Sequence, residues 1–171
     1  MHPSSKRYIL VFGAAAVSIA LDQLTKVWAW NTLQGEPVRH YFNDMFRILF
    51  VQNEGAFLSL GADLSDELRM LALTLLPVII LAFLLVYTLR SRTLNTWQVV
   101  AYSFIFGGGV SNIYDRILYG KVVDFMNMGI GDLRTGIFNV ADVFIMIGLF
   151  MLIPYIFIPH RKPATDAGQS A

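Results

Sequence analysis

Residues Met70 to Leu89 run for twenty positions without an Asp, Glu, Lys or Arg. That is about the length a helix needs to cross a ~30 Å hydrocarbon core. Three more apolar runs follow the same logic: Tyr8 to Leu21 with its continuation to Trp30, Trp97 to Tyr114, and Ile137 to Ile158. Apolar residues make up 56% of the 171, charged ones 15%, and mean hydropathy is +0.56, too hydrophobic for an ordinary soluble domain. The expected fold is an all-α membrane bundle of four transmembrane helices, with a small extracytoplasmic β-hairpin or sheet between helices 1 and 2. One integral membrane domain would cover residues 1–171, with spans at about 8–30, 69–89, 97–116 and 137–158 and a disordered tail at 163–171.

The first run, behind Lys6-Arg7, has the length of a signal-peptide core. The favoured reading is a retained helix that continues through Asp22 and Lys26 to Trp28 and Trp30, which suit an interfacial aromatic belt. Asp63 or Ser65 can cap the second helix, and Pro77 is expected to kink it. Gly107-Gly108-Gly109 reads as a surface where helix backbones approach closely; no Gly-Lys-Ser/Thr follows to make a phosphate loop. Lys6, Arg7, Arg90, Arg92, Arg161 and Lys162 flank the runs at both termini and the middle connection, with Asp166 the one acid there. This favours cytoplasmic termini.

Residues 31–68 are too polar to span. Phe46 to Gln52 and Ala56 to Leu60 are expected to pair as a hairpin through Asn53-Glu54-Gly55, lying on the membrane surface. Asn53 is by default a turn residue; facing a site, its amide would hold a substrate backbone.

Two aspartates stand in apolar surroundings, where a carboxylate is costly. Asp124 lies in the extended segment Val122-Val123-Asp124-Phe125, and Asp142 opens the last apolar run. Each has a structural explanation: Asn139 and Asp142 have capping-box spacing, and Asp124 is then a separate interfacial acid. Asp22 and Lys26 are four apart, so an intrahelical ion pair stands beside a site-supporting role. Gly108, Asn112 and Arg116 share a helical face with Asp115 beside them. Either Asp115 and Arg116 pair at a helix end, or Asn112 and Arg116 pin the loop carrying Asp124.

With four spans, Asp22, the hairpin, Asp124 and Asp142 fall at one membrane face, away from the termini. Two adjacent carboxyl groups cannot easily both ionise, so one keeps a proton while the other takes one from water. Asp142, at a helix start, is the better ionised member, and Asp124 the better proton holder, although such a pair titrates as a unit. Other plans fit less well. Ser111 and Lys121 would need a deprotonated lysine, which Asp115 and Asp124 oppose. His2, His40 and His160 have no metal-site spacing, there is no cysteine, and no basic face is left over for nucleic acid. A non-enzymatic tetraspan proton relay or scaffold subunit is the main rival. It would place ionisable residues at several depths, which the second and fourth runs lack after their first turn.

The segments Gly107 to Arg116, Gly120-Lys121-Val122-Val123-Asp124-Phe125 and Phe138-Asn139-Val140-Ala141-Asp142, with Asp22-Gln23-Leu24-Thr25-Lys26 and Asn53-Glu54-Gly55-Ala56, resemble the bacterial lipoprotein signal peptidases. The resemblance covers residues from about 8 to 158. It implies a cofactor-free, four-span aspartyl endopeptidase of the bacterial inner membrane, monomeric, with its site at the periplasmic face. Its partners would be membrane lipids and diacylglyceryl-modified prolipoproteins, cut before the modified cysteine. Asp124 and Asp142 would be the catalytic pair; Asn53, Gly55, Asn112, Asp115, Arg116 and Asn139 would bind substrate or order the site, supported by Asp22, Lys26 and Gly108. No residue is expected to hold a metal. Two departures stand out: Gly55-Ala56-Phe57 where the family more often has two alanines before the aromatic, and Ser111 where glycine is common. Both are expected to line the substrate groove.

Overall fold

A computed structural model describes residues 3–55 and 65–157. The expected strand at 56–60, the Asp63 cap, the stop at Pro159 and the tail at 163–171 lie outside them. The described chain is mostly helical. Helix α1 (Pro3–Leu33) leads to strands β1 (Arg39–Tyr41) and β2 (Phe46–Asn53). Helices α2 (Asp66–Met70) and α3 (Leu76–Arg90) follow, then α4 (Thr96–Tyr119), β3 (Val122–Ile130), β4 (Leu133–Arg134) and α5 (Val140–Phe157).

Local sequence sets these boundaries. Ser65 caps α2 by accepting from Leu68 N. A π-helical turn, Leu71–Leu75, joins α2 to α3 and ends just before Pro77. Proline has no N–H to give the preceding turn and its ring crowds the carbonyl four residues back, so the wider turn takes up the mismatch. Where a kink was expected at Pro77, the structure has a π turn ahead of the proline. Helix α4 starts in a capping box in which Asn95 Oδ1 accepts from Gln98 N and Gln98 Oε1 accepts from Asn95 N. It ends where Gly120 adopts φ +69°, the left-handed cap that glycine takes without a Cβ clash.

Helix α4 is the central element, and its three consecutive glycines face three different helices. A Cβ on Gly107 would lie 2.8 Å from Ala15 Cα in α1; on Gly108, 2.4 Å from the Ala141 carbonyl in α5; on Gly109, 2.7 Å from the Leu81 side chain in α3. The triple glycine is the packing surface anticipated from sequence.

The strands form one antiparallel sheet in the order β1-β2-β3-β4. Strand β2 pairs with β1 and with the distant β3, so the small sheet expected between the first two helices draws half of its strands from the segment between α4 and α5; the expected hairpin of 46–52 with 56–60 falls partly outside the described residues. A two-stranded hairpin alone is marginal in water, whereas here β3 completes a face on α1: Ala29, Leu33 and Phe125 form a buried cluster with Phe50, Val123 and Val140 around it. The glycine-rich stretch from Gly129 to Gly136 holds the β3–β4 hairpin, turned through Gly131 at φ +56° and Asp132.

The two ends of the bundle differ. At one, the Arg7 guanidinium donates to the Ser91 and Leu94 carbonyls of the α3–α4 connection. At the other, the last turns of α1, the sheet and the start of α5 converge. Among the described residues, two helices, Ser5–Leu33 and Glu67–Arg90, are long and apolar enough to cross a membrane, and Val140–Tyr155 is a shorter apolar helix.

Candidate active site

The site lies at the second end, where each polar residue is delivered by a different element. Strand β3 carries Asp124, with Val123 and Phe125 turned to the opposite face by the two-residue period of a strand. Strand β2 carries Asn53. Between Ile48 and Val51 the β2–β3 register shifts, three residues on β2 matching two on β3. Such a bulge reverses the facing of all that follows. Asn53 rather than Gln52 therefore shares the face of Val122 and Asp124. The segment before α5 is held by Phe138, whose carbonyl accepts from Phe125 N and Met126 N and whose N–H donates to Met126 O. That pairing sets Asn139 beside Asp124.

Both carboxyl groups are wired into one amide network. Asp124, 3% exposed, accepts from Asn53 Nδ2 at 2.8 Å and Asn139 Nδ2 at 2.7 Å. Asp142 accepts from Asn112 Nδ2 at 2.9 Å and Asn139 N at 3.1 Å. Asn139 Oδ1 in turn accepts from Asp142 N, completing the capping box. The capping role and proximity to Asp124 thus coexist. Asn139 also donates to Asn112 Oδ1 at 3.2 Å, so these two amides bridge the two aspartates. Asn53, Asn112, Arg116, Val122, Asp124, Ile137, Asn139 and Asp142 line one cavity of about 20 Å³, room for a single water molecule. Burial pushes the Asp124 carboxyl up to about 6; the Asn53 hydrogen bond opposes this and the Asp142 charge adds to it.

Beneath the pair lies a second buried network. Lys26 Nζ donates to Asp22 Oδ2 and Asp115 Oδ2, each at 2.6 Å, and to Asn112 Oδ1 at 2.9 Å. Asp22 Oδ1 accepts from Ala141 N at 2.8 Å in the first turn of α5, one residue from Asp142. The Asp22–Lys26 ion pair is therefore also a strut under the site. Asp115 pairs with Lys26, not with Arg116. Arg116 donates to the Gly55 carbonyl at 3.0 Å and to its own helix at Asn112 O, so it pins the end of β2, while Asn112 pins Asp142 and Asn139 and reaches Asp124 through Asn139. Its Nε is buried and has no acceptor among the described residues. Asn53 makes the turn itself, its Oδ1 accepting from Gly55 N, and its amide nitrogen is turned to Asp124. Gly108 sits where α4 meets α5, bringing Asn112 within reach of Asp142.

Sequence reasoning overlooked Gln23 and misplaced Ser111. Ser111, fully buried, donates to Asp22 Oδ2 at 2.7 Å and accepts from Gln23 Nε2, which also donates to Asp115. It belongs to the strut rather than the groove. With Ser111 so engaged and Lys121, just before β3, lining a separate cleft with Val123, these two form no serine–lysine pair among the described residues. The signal for Gln23 was its place between Asp22 and Lys26 in a polar interruption of an apolar helix. Among the described residues, no group of three or more His, Asp or Glu side chains has metal-site geometry.

A buried and a half-buried carboxyl group bridged by amides over a water-sized cavity, at one end of a bundle of apolar helices, fit a membrane peptidase of the aspartic type. Residues 14–158 match the family described as signal peptidase (SPase) II, and the chain belongs to that family. A lipoprotein signal peptidase of Borreliella burgdorferi strain ZS7 is 33% identical over 168 residues, 95% of this chain and 98% of the relative. Another, from Gloeobacter violaceus, is 36% identical over 153 residues, 88% of this chain and 84% of the relative. Two bacterial membrane enzymes solved by the in meso method share the fold. One, at 2.3 Å resolution, has a TM-score of 0.76 and 27% identity, with 92% of this chain and 94% of that one covered. The other, at 1.9 Å, has a TM-score of 0.75 and 28% identity, covering 87% and 93%.

Proposed function

We propose that this chain is the endopeptidase that removes signal peptides from diacylglyceryl-modified prolipoproteins, cutting before the lipid-modified cysteine, with Asp124 and Asp142 as its catalytic pair. The observation that carries this is the convergence of both carboxyl groups on one water-sized cavity through Asn112 and Asn139. The cavity's water attacks the scissile carbonyl carbon. Asp142, as carboxylate, takes a proton from that water, and protonated Asp124 gives its proton to the carbonyl oxygen. When the tetrahedral intermediate breaks its C–N bond, the leaving nitrogen takes the proton held by Asp142. The hydroxyl proton returns to Asp124, restoring both groups. The buried Nε of Arg116, without an acceptor among the described residues, is suited to a substrate carbonyl at the cavity.

In this reading one domain crosses the bacterial inner membrane four times, along α1, α2–α3, α4 and α5. Both termini are cytoplasmic, the sheet is at the periplasmic face, and the enzyme works as a monomer without cofactor. Lipid anchoring confines the substrate to the bilayer plane, so the cleavage site arrives at a fixed depth.

Purified protein incubated with a diacylated prolipoprotein provides the test. Asp124→Asn and Asp142→Asn should each lower kcat by at least about 100-fold while leaving the fold intact by thermal unfolding. Near-wild-type cleavage by either variant would sink the mechanism. Equal cleavage of the unmodified prolipoprotein would remove the lipid from the recognition step.

A further inference from the structure

Strand β3 has a second face. Asp124 and Val122 point into the catalytic cavity, whereas Val123 lines a separate cleft of about 390 Å³ between α1, the end of α4 and β3, within the range of sites that hold small organic ligands. Val27, Trp30, Tyr119 and Val123 give this cleft mostly apolar walls. Its inner wall is Lys26 and Asp115, already paired with each other. Gln23 and Asn31 add amides to the lining, and Lys121, directly after the helix-ending Gly120, lines it as well and forms no ion pair among the described residues. The flanking surface is apolar and open, with Val27 58%, Leu24 67% and Tyr119 64% exposed. Trp28 and Trp30 lie along the last turns of α1, at the level where an aromatic belt meets lipid headgroups.

We propose that this cleft binds an anionic phospholipid, with the headgroup phosphate on Lys121 and one acyl chain along Val27, Trp30, Val123 and Tyr119. An apolar trough ending in an unpaired cation matches an amphiphile with a negative head. A soluble anion would leave the trough unfilled, and a zwitterionic lipid would set its own cation beside Lys121. The assignment rests on the membrane placement proposed above but not on the aspartate pair, and its test reads binding rather than cleavage.

Full-length protein carrying Trp28→Phe and Trp97→Phe leaves Trp30 as the only tryptophan. It is reconstituted into phosphatidylcholine vesicles with increasing amounts of brominated phosphatidylglycerol, whose bromines quench a tryptophan they touch. Quenching should saturate at a low mole fraction of the anionic lipid. Lys121→Gln should raise the half-saturation point about fivefold, and Lys121→Arg should keep it. Millimolar inorganic phosphate should displace nothing. The proposal is overturned if Lys121→Gln leaves half-saturation unchanged, if brominated phosphatidylcholine quenches equally well, or if inorganic phosphate competes, which would indicate a soluble-anion site. Lys121→Gln should still cleave prolipoprotein, showing that the variant is folded.

Discussion

Lys26 is the one base between two buried acids. Without it, Asp22 and Asp115 would face each other with only Ser111, Gln23 and the Ala141 N–H as donors. Breaking a buried ion pair from one side leaves an uncompensated charge, so Lys26→Met should destabilise the fold by about 3–5 kcal/mol. Ser111→Ala, which removes one hydrogen bond to a charged group, should cost about 1.5–3 kcal/mol. Thermal unfolding in detergent measures both; a Lys26 variant as stable as wild type would mean the network is not a strut. Asp124 makes a pH prediction whose sign is fixed by its environment. Its carboxyl is raised to about 6, so the proton it needs as an acid is lost as pH rises through that value. Its contribution to stability likewise falls from about pH 4 to about pH 6 and is flat above. The alkaline limb of kcat/KM should therefore fall near pH 6. Asn53 donates to the Asp124 carboxylate and holds its pKa down. Asn53→Ala should move that limb to higher pH, and a limb that stays in place or moves down would show that it belongs to another group.

At the scale of elements, the site depends on how closely α4 approaches its neighbours. A Cβ on Gly108 would meet the Ala141 carbonyl at 2.4 Å, and backbone on backbone has no flexible end to give way. Gly108→Ala should push α5 away, costing about 1–3 kcal/mol as overpacking does and lengthening the Asn112–Asp142 contact. Activity should fall further than the stability loss alone explains. Gly13→Ala, where nothing lies within 4 Å, is the control and should leave both unchanged. The helices were legible in the sequence because apolar runs and caps are local signals: the apolar runs return as helices and Ser65 caps α2 as expected, while the Asn95–Gln98 box, equally local, was not picked out. The sheet was not, because Val51 and Asp124 pair across more than seventy intervening positions and β3 has no clean alternation of apolar and polar residues. A bulge that decides whether Asn53 or Gln52 faces the carboxyl has no local signature either. The site residues were legible as a set, since polar groups beside apolar runs need partners. Which partner each takes was not: helical spacing put Asn112 and Arg116 on one face but did not reveal that one reaches Asp142 and the other Gly55.

For the whole molecule, the two ends carry opposite demands. One gathers Asp22, Lys26, Asp115, Asp124 and Asp142 with the sheet; the other joins Arg7 to the α3–α4 connection, beside Arg90 and Arg92. Lysine and arginine at short connections stay on the cytoplasmic side, so the dyad end should face outward, where a precursor's cleavage site emerges from the bilayer. The chain contains no cysteine, which allows single-cysteine labelling in an otherwise native protein. Glu36→Cys, between α1 and β1, and Asp132→Cys, at the β3–β4 turn, are exposed positions at the dyad end; Arg92→Cys is exposed at the other. In intact cells whose outer barrier has been opened, a membrane-impermeant maleimide should label the first two, and Arg92→Cys only after the inner membrane is permeabilised. The opposite pattern would turn the molecule over and put the aspartates in the cytoplasm. Labelling of all three without permeabilisation would mean that neither α2–α3 nor α4 carries the chain across the membrane.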